Sequence, residues 1–182
     1  MLGPTLETAR LILRPPIQAD FEGFASMATE EDTMRFIGGV GPRDAAWRTM
    51  ATLTGAWALL GYSMFSVIEK GSGQWIGRIG PWRPGGKEGG WPGDEVGWGL
   101  KRAACGKGYA HEGAVAAMDW AFEALGWEEM IHCIDPANAP SIALAERLGS
   151  KRLRGATLPP PFNVAVDIYG QSKSEWRTRP MH

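Results

Sequence analysis

The spacing of apolar and polar residues changes several times along the chain, and each change marks an element. Arg10-Leu-Ile-Leu-Arg14 is an apolar run between two arginines, which predicts a first strand closed by Pro15-Pro16. Asp20 is placed to cap a helix over 21–27, and a second helical pattern covers 45–60. Residues 63–69 and 74–79 read as strands joined by a Gly71-Ser-Gly73 turn. Residues 81–93, rich in Gly, Pro and Trp, have no periodicity and read as a long loop of the kind that is functional or mobile. A strand follows at 95–100. From 109 to 125, Ala110, Ala114, Ala117, Ala121 and Leu125 recur at helical spacing, and Gly126 supplies the stop. A strand at 130–135, a turn at Pro136-Ala-Asn138, a helix over 141–148 closed by Gly149, and strands at 151–154 and 164–169 around Pro159-Pro-Pro161 complete the chain. The order β-α-α-β-β-β-α-β-α-β-β predicts a mixed α/β (α+β) fold, with 1–182 as a single domain free of internal repeats.

Arg102-Ala-Ala-Cys-Gly-Lys-Gly-Tyr-Ala-His-Glu112 joins the strand at 95–100 to the Ala-rich helix. A Gly-x-Gly turn between strand and helix presents consecutive backbone N–H groups at a helix N-terminus, which suits a phosphate. A nucleotide-triphosphate loop needs Gly-Lys-Ser/Thr, and Gly108 stands where that hydroxyl belongs. A dinucleotide loop needs a third small residue, and His111 occupies that place.

Bulk composition narrows the partners. A net charge of −1 with 21 % charged residues offers no basic field for nucleic acid. No apolar run approaches the roughly 20 residues that span a bilayer, and the first residues lack the pattern of a signal peptide. Cys105 and Cys133 form neither a disulfide framework nor a CxxC pair, so a reducing, cytoplasmic setting is expected. His111, His132 and His182 show no ligand spacing, and no metal is expected. The nine tryptophans suit either pocket walls or core and subunit contacts, and exposed ones would favour a homodimer.

Four collinear segments resemble the GNAT N-acetyltransferase superfamily, and within it the RimJ/RimL-like branch. They are Leu6–Arg14, Val96-Gly-Trp-Gly-Leu100 with Cys105–Glu112, Asp135–Ser141 with Ala145-Glu-Arg-Leu-Gly149, and Asp167-Ile-Tyr169 with Glu175-Trp176. The resemblance implies a mixed sheet splayed between strands 4 and 5 and flanked by helices. It implies acetyl-CoA as co-substrate, with pyrophosphate on the turn formed by Arg102, Ala103, Ala104, Cys105, Gly106, Lys107, Gly108, Tyr109 and Ala110, chiefly on the N–H groups from Ala103 to Gly108. Backbone N–H groups near Gly99 and Leu100 would hold the pantetheine arm and polarise the thioester carbonyl, and Asn138 would bond the arm. Glu95 is the candidate general base, and Ser141 the candidate proton donor to the leaving thiolate. Phe36, Trp82, Trp91 and Trp98 are candidate acceptor contacts.

Two positions depart from the superfamily pattern. Ala103 stands where Gln or Arg is usual, with Arg102 next to it, and Ala145 replaces the tyrosine acid used by many members. The expected reaction is direct attack of a neutral amine in a ternary complex. An α-amine near pKa 7.8 is roughly 14 % neutral at pH 7 and a lysine amine about 0.04 %, which favours a protein or peptide N-terminus or a small amine. A CoA-binding module without turnover and an antibiotic- or small-molecule-detoxifying acetyltransferase are the other readings.

Overall fold

Pairing begins one strand earlier than the apolar pattern predicts. In the computed structural model, which describes residues 2–86 and 88–179, Leu6–Glu7 (β1) pairs with Leu11–Arg14 (β2), and Phe65–Glu69 (β3), Trp75–Trp82 (β4) and Glu95–Leu100 (β5) follow. Glu129–Ile134 (β6), Lys151–Thr157 (β7) and Ala165–Ser172 (β8) complete a sheet of order β1-β2-β3-β4-β5-β6-β8-β7. Every neighbouring pair is antiparallel except β5–β6, which is parallel and has a single register pair, Glu95 with Ile131. The expected splay between the fourth and fifth predicted strands therefore lies between β5 and β6.

Helices cover both faces. Phe21–Met27 (α1), Glu31–Met34 (α2) and Arg43–Leu60 (α3) precede β3; Tyr109–Ala124 (α4), Ala139–Arg147 (α5) and Lys173–Arg177 (α6) come later. The short α2 and α6 carry too few apolar positions for periodicity to reveal. On one face, Ala114, Ala117 and Ala121 of α4 are fully buried, and these small side chains bring the helix close to Leu11, Leu13, Ile79 and Val96. Gly113 tightens that approach, since a Cβ there would stand 2.7 Å from Ile79 Cδ1. On the other face, Phe24, Met27, Met50 and Leu53 pack with Met64 and Trp75.

Five of the nine tryptophans are buried, and three of them anchor the core through their indoles. Trp57 donates to Met64 O at 3.1 Å, Trp75 to Ser66 Oγ at 3.0 Å and Trp176 to Asp119 Oδ1 at 2.7 Å. Trp47 is the one exposed tryptophan.

A buried ion pair fixes the first turn. Asp20, 3 % exposed, accepts from Arg14 at 2.7 and 2.8 Å, from Ser66 Oγ at 2.7 Å and from Ile17 N at 3.0 Å. Burial raises its pKa, but these donors outweigh that effect and hold the carboxyl below its ordinary value. Asp20→Ala strands those donors and should lower unfolding free energy by about 3 kcal/mol, read from urea denaturation.

Candidate cofactor cleft and active site

The turn ahead of α4 is shaped by two glycines in the left-handed region, Gly106 at φ 76° and Gly108 at φ 81°. Gly108 caps α4 with no side-chain hydrogen bond, so the first N–H groups of the helix stay open. Among the described residues, the N–H groups from Gly106 to His111 make no hydrogen bond. Those of Arg102, Ala104 and Cys105 are already taken, by Glu30 Oε2 at 2.7 Å and by the carbonyls of Lys101 and Arg102. The free donor run thus lies further along the chain than the stretch from Ala103 to Gly108 expected from the sequence.

The turn is held from behind by the N-terminal segment. Arg10 donates to Lys107 O at 2.9 Å and to Glu112 Oε2 at 2.7 Å, and Thr8 Oγ1 donates to Glu112 Oε1 at 2.6 Å. The Arg10 guanidinium also lies 4.5 Å over the Tyr109 ring, whose hydroxyl bonds Glu69. On the other side, Glu30 accepts from both Arg102 N and Thr33 Oγ1 and ties α2 to the turn.

These donors open onto a cleft of about 820 Å³. Phe36 and Ile37 form one wall, Trp98, Gly99 and Leu100 run along its floor, and Asn138, Ser141 and Arg147 form the other wall. Arg102 and Arg147 bring positive charge to its rim. Burial and the Arg147 charge keep His111 below its ordinary pKa and neutral. The Cys105 thiol donates to Lys101 O at 3.5 Å, and burial pushes it up, away from the thiolate a nucleophile requires.

The floor owes its free edge to the splay. Strand alternation sends the backbone groups of even-numbered β5 residues away from β4: Asp94 O accepts from Ile131 N, whereas Lys101 N donates to Ile76 O on the β4 side. The N–H groups of Trp98 and Leu100 therefore face the opening, and Gly99, one of the two donors expected from the sequence, turns its N–H toward β4.

Asn138 caps α5, accepting from Ser141 N at 3.3 Å. Ser141 Oγ in turn accepts from Trp98 Nε1 at 3.2 Å, which leaves its hydroxyl proton free to point into the cleft. Ala145, where the resemblance places a tyrosine acid in many members, is fully buried beside Ile134 and Tyr169 and does not line the cleft.

The structure separates the remaining candidates. Phe36 and Trp98 line the cleft; Trp82 and Trp91 do not. Trp82 is half-buried against two core clusters, and Trp91 roofs Glu95, its indole donating to Oε2 at 2.6 Å. Glu95 itself is 5 % exposed and lies on the opposite face of β5 from Trp98. Its other oxygen accepts from Cys133 N at 3.0 Å. Burial pushes its pKa up to about 7 despite these two donors. A Cβ at Gly97 would stand 3.5 Å from Met64 Cε and 3.8 Å from Glu95 Oε1.

Sequence reading missed His132, Glu30 and Arg147. Arg147 sat inside a quoted motif without a role, while Glu30 and His132 act through partners distant in sequence, which no local pattern announces.

Residues 10–151 match the acetyltransferase (GNAT) domain family. The chain is 30 % identical to an acetyltransferase from Agrobacterium tumefaciens str. C58, whose crystal structure covers 93 % of this chain and 95 % of its own at a TM-score of 0.79. RimL, a ribosomal L7/L12 alpha-N-protein acetyltransferase solved in complex with coenzyme A, shares the fold at a TM-score of 0.74 and 13 % identity, over 93 % of this chain and 98 % of that one. The uncharacterized protein YkkB of Bacillus subtilis (strain 168) is 35 % identical over 78 residues. The matched region spans 41 % of this chain and 42 % of YkkB, less than half the length of that curated relative.

Proposed function

Because the chain belongs to the GNAT acetyltransferase family, we propose that it transfers an acetyl group from acetyl-CoA to a primary amine, as a RimJ/RimL-like enzyme. The acceptor is a protein or peptide N-terminus or a small amine, attacking directly in a ternary complex. The observation that carries this reading is the run of free N–H donors from Gly106 to His111, opening onto the same cleft as the unpaired edge of β5 and the Ser141 hydroxyl. Orphaned donors at a helix N-terminus fit a pyrophosphate, and an extended edge of free N–H groups fits an amide-bearing arm.

Bound acetyl-CoA would supply an activated thioester. The turn would hold its phosphates, with Arg102, Lys107 and Arg147 adding charge. The N–H groups of Trp98 and Leu100 would align the pantetheine arm, assisted by the Asn138 amide, and stabilise charge developing on the thioester carbonyl oxygen. Ser141, oriented by the Trp98 indole, would pass a proton to the departing sulfur while taking one from water in the cleft, so that it ends as the hydroxyl. Glu95 lies across β5 from the Phe36 and Trp98 side and would take the proton that the amine must lose through an intervening water; its pKa of about 7 lets it accept at neutral pH and release again. Phe36 and Trp98 form the apolar part of the acceptor's surroundings.

The test is release of free CoA thiol from acetyl-CoA, with N-terminal peptides, polyamines and aminoglycosides offered as acceptors. Turnover on peptides or small amines supports the reading; aminoglycoside turnover alone points to a detoxifying enzyme, and CoA binding without any turnover to a binding module. Ser141→Ala should lower kcat by about 10²-fold, at the weaker end for a lost proton donor because water can stand in, with the KM for acetyl-CoA nearly unchanged.

A further inference from the structure

The parallel pairing of β5 with β6 stops after one register pair, and the groups that would continue it are accounted for individually. Ile131 N donates to Asp94 O at 2.9 Å, as a parallel ladder requires. The next ladder bond would run from Cys133 N to Val96 O. Neither group makes it. Cys133 N donates instead to Glu95 Oε1 at 3.0 Å, and Val96 O accepts from His132 Nδ1 at 2.6 Å. One lost backbone bond is replaced by two side-chain bonds, one on each face of the sheet, since Glu95 pairs with Ile131 and His132 is the following residue.

We infer that Glu95 and His132 form a two-sided wedge that occupies the next ladder position and holds β5 and β6 apart, freeing the cofactor-facing edge of β5. Both are positioning residues in this role, and Glu95 has it in addition to its proposed work as a base.

The His132 half is tautomerically fixed. Val96 O can only accept, so Nδ1 carries the proton and Nε2 is left as acceptor. Ser150 Oγ lies 3.1 Å from Nε2, and Gln171 Nε2 donates to Ser150 Oγ at 2.8 Å and to Leu148 O at 2.9 Å. The chain Gln171–Ser150–His132–Val96 is thus satisfied at every link, inside a region where an unmade bond would be costly. His132 is 1 % exposed, and burial holds it neutral. The same ring packs on Trp98, with centroids 4.7 Å apart, and Trp98 holds Ser141. The wedge therefore sets both the open edge of the floor and the indole that orients the serine.

Amide hydrogen exchange with free CoA titration tests this. In the wild-type protein, Trp98 N–H faces the opening unpaired and should exchange fast, whereas Cys133 N–H, bonded to Glu95, should be protected. In His132→Leu the seam should zip by one position, so that Trp98 N–H pairs with Cys133 O and its exchange slows by about tenfold or more. General destabilisation would speed exchange, so the sign separates wedge loss from simple loosening. CoA should bind about tenfold or more weakly, worth ~1.4 kcal/mol or more. In His132→Asn the side-chain amide N–H stands where Nδ1–H does, so Trp98 exchange should stay fast and CoA affinity within about threefold.

A folded His132→Leu with fast Trp98 exchange and wild-type CoA affinity overturns the wedge. If that variant fails to fold, His132→Asn decides, and slowed Trp98 exchange in it overturns the assignment. The exchange arm is independent of the proposed reaction; only the affinity arm rests on the CoA reading.

Discussion

Glu95→Gln should lower kcat about 10³-fold while leaving CoA affinity nearly intact, the signature of a lost base. The amide keeps an acceptor oxygen for Cys133 N–H, so the seam is retained; its NH2 faces the Trp91 indole N–H and cannot accept from it, and the amide cannot take a proton. In the wild-type protein the ionised carboxylate is the competent form, so kcat should rise with pH through about 7 and flatten in the variant. The same group leaves a mark on stability. Its folded pKa, about 7, lies above the ordinary 4.5, so between those values the folded state binds more protons than the unfolded one. Its contribution is fully present below pH 4.5 and is lost as pH rises toward 7. The loss is roughly 3 kcal/mol, from about 1.4 kcal/mol per pH unit across the window. Urea denaturation across that range should show the slope in wild type and its absence in Glu95→Gln. A kcat within about threefold of wild type in the variant would remove Glu95 from the chemistry.

Gly106→Asp should weaken CoA binding by about 10³-fold, and Gly106→Asn far less. Nothing stands within 4 Å of a Cβ at Gly106, so either side chain fits, and both residue types tolerate its left-handed backbone. The two variants differ in one charge, placed beside the free donors. At about 4 Å and an effective dielectric near 20, that charge opposes the nearest phosphate charge by roughly 4 kcal/mol, or about three decades in Kd. Calorimetry with CoA at low and high salt measures both variants, and salt should relieve the aspartate more than the asparagine. Equal losses in the two would mean that the turn does not carry the pyrophosphate.

Much of this site was legible in the chain. The strand at β5, the Gly-x-Gly turn and the alanine-spaced helix announced a helix start with open backbone donors by local pattern alone, and Asn138 with Ser141 announced a capped helix start. Local pattern also located the strands along the chain except β1, whose two residues lack a period. What it could not give were choices settled across long sequence separations. Glu30, 72 residues away, claims Arg102 N at the start of the turn, and Ala104 N and Cys105 N close it on the carbonyls of Lys101 and Arg102, so the free donors lie at Gly106–His111. Trp91 and Trp98 read alike as wall aromatics, yet one covers a carboxyl on one face of β5 and the other orients a serine on the opposite face. His132 looked idle because its partners are a carbonyl 36 residues away and a hydroxyl 18 residues away.

The grip of Arg10 and Thr8 on Glu112 has a consequence for the order of folding. Closing a loop of about 100 residues costs entropy before any contact at its ends is gained. The helices and hairpins between them have short-range contacts that can form sooner, so the anion cradle should be among the last parts to mature. A chain that binds CoA at this turn would therefore have joined its beginning to its middle, and CoA binding would be a readout of completed folding rather than of local order at the turn.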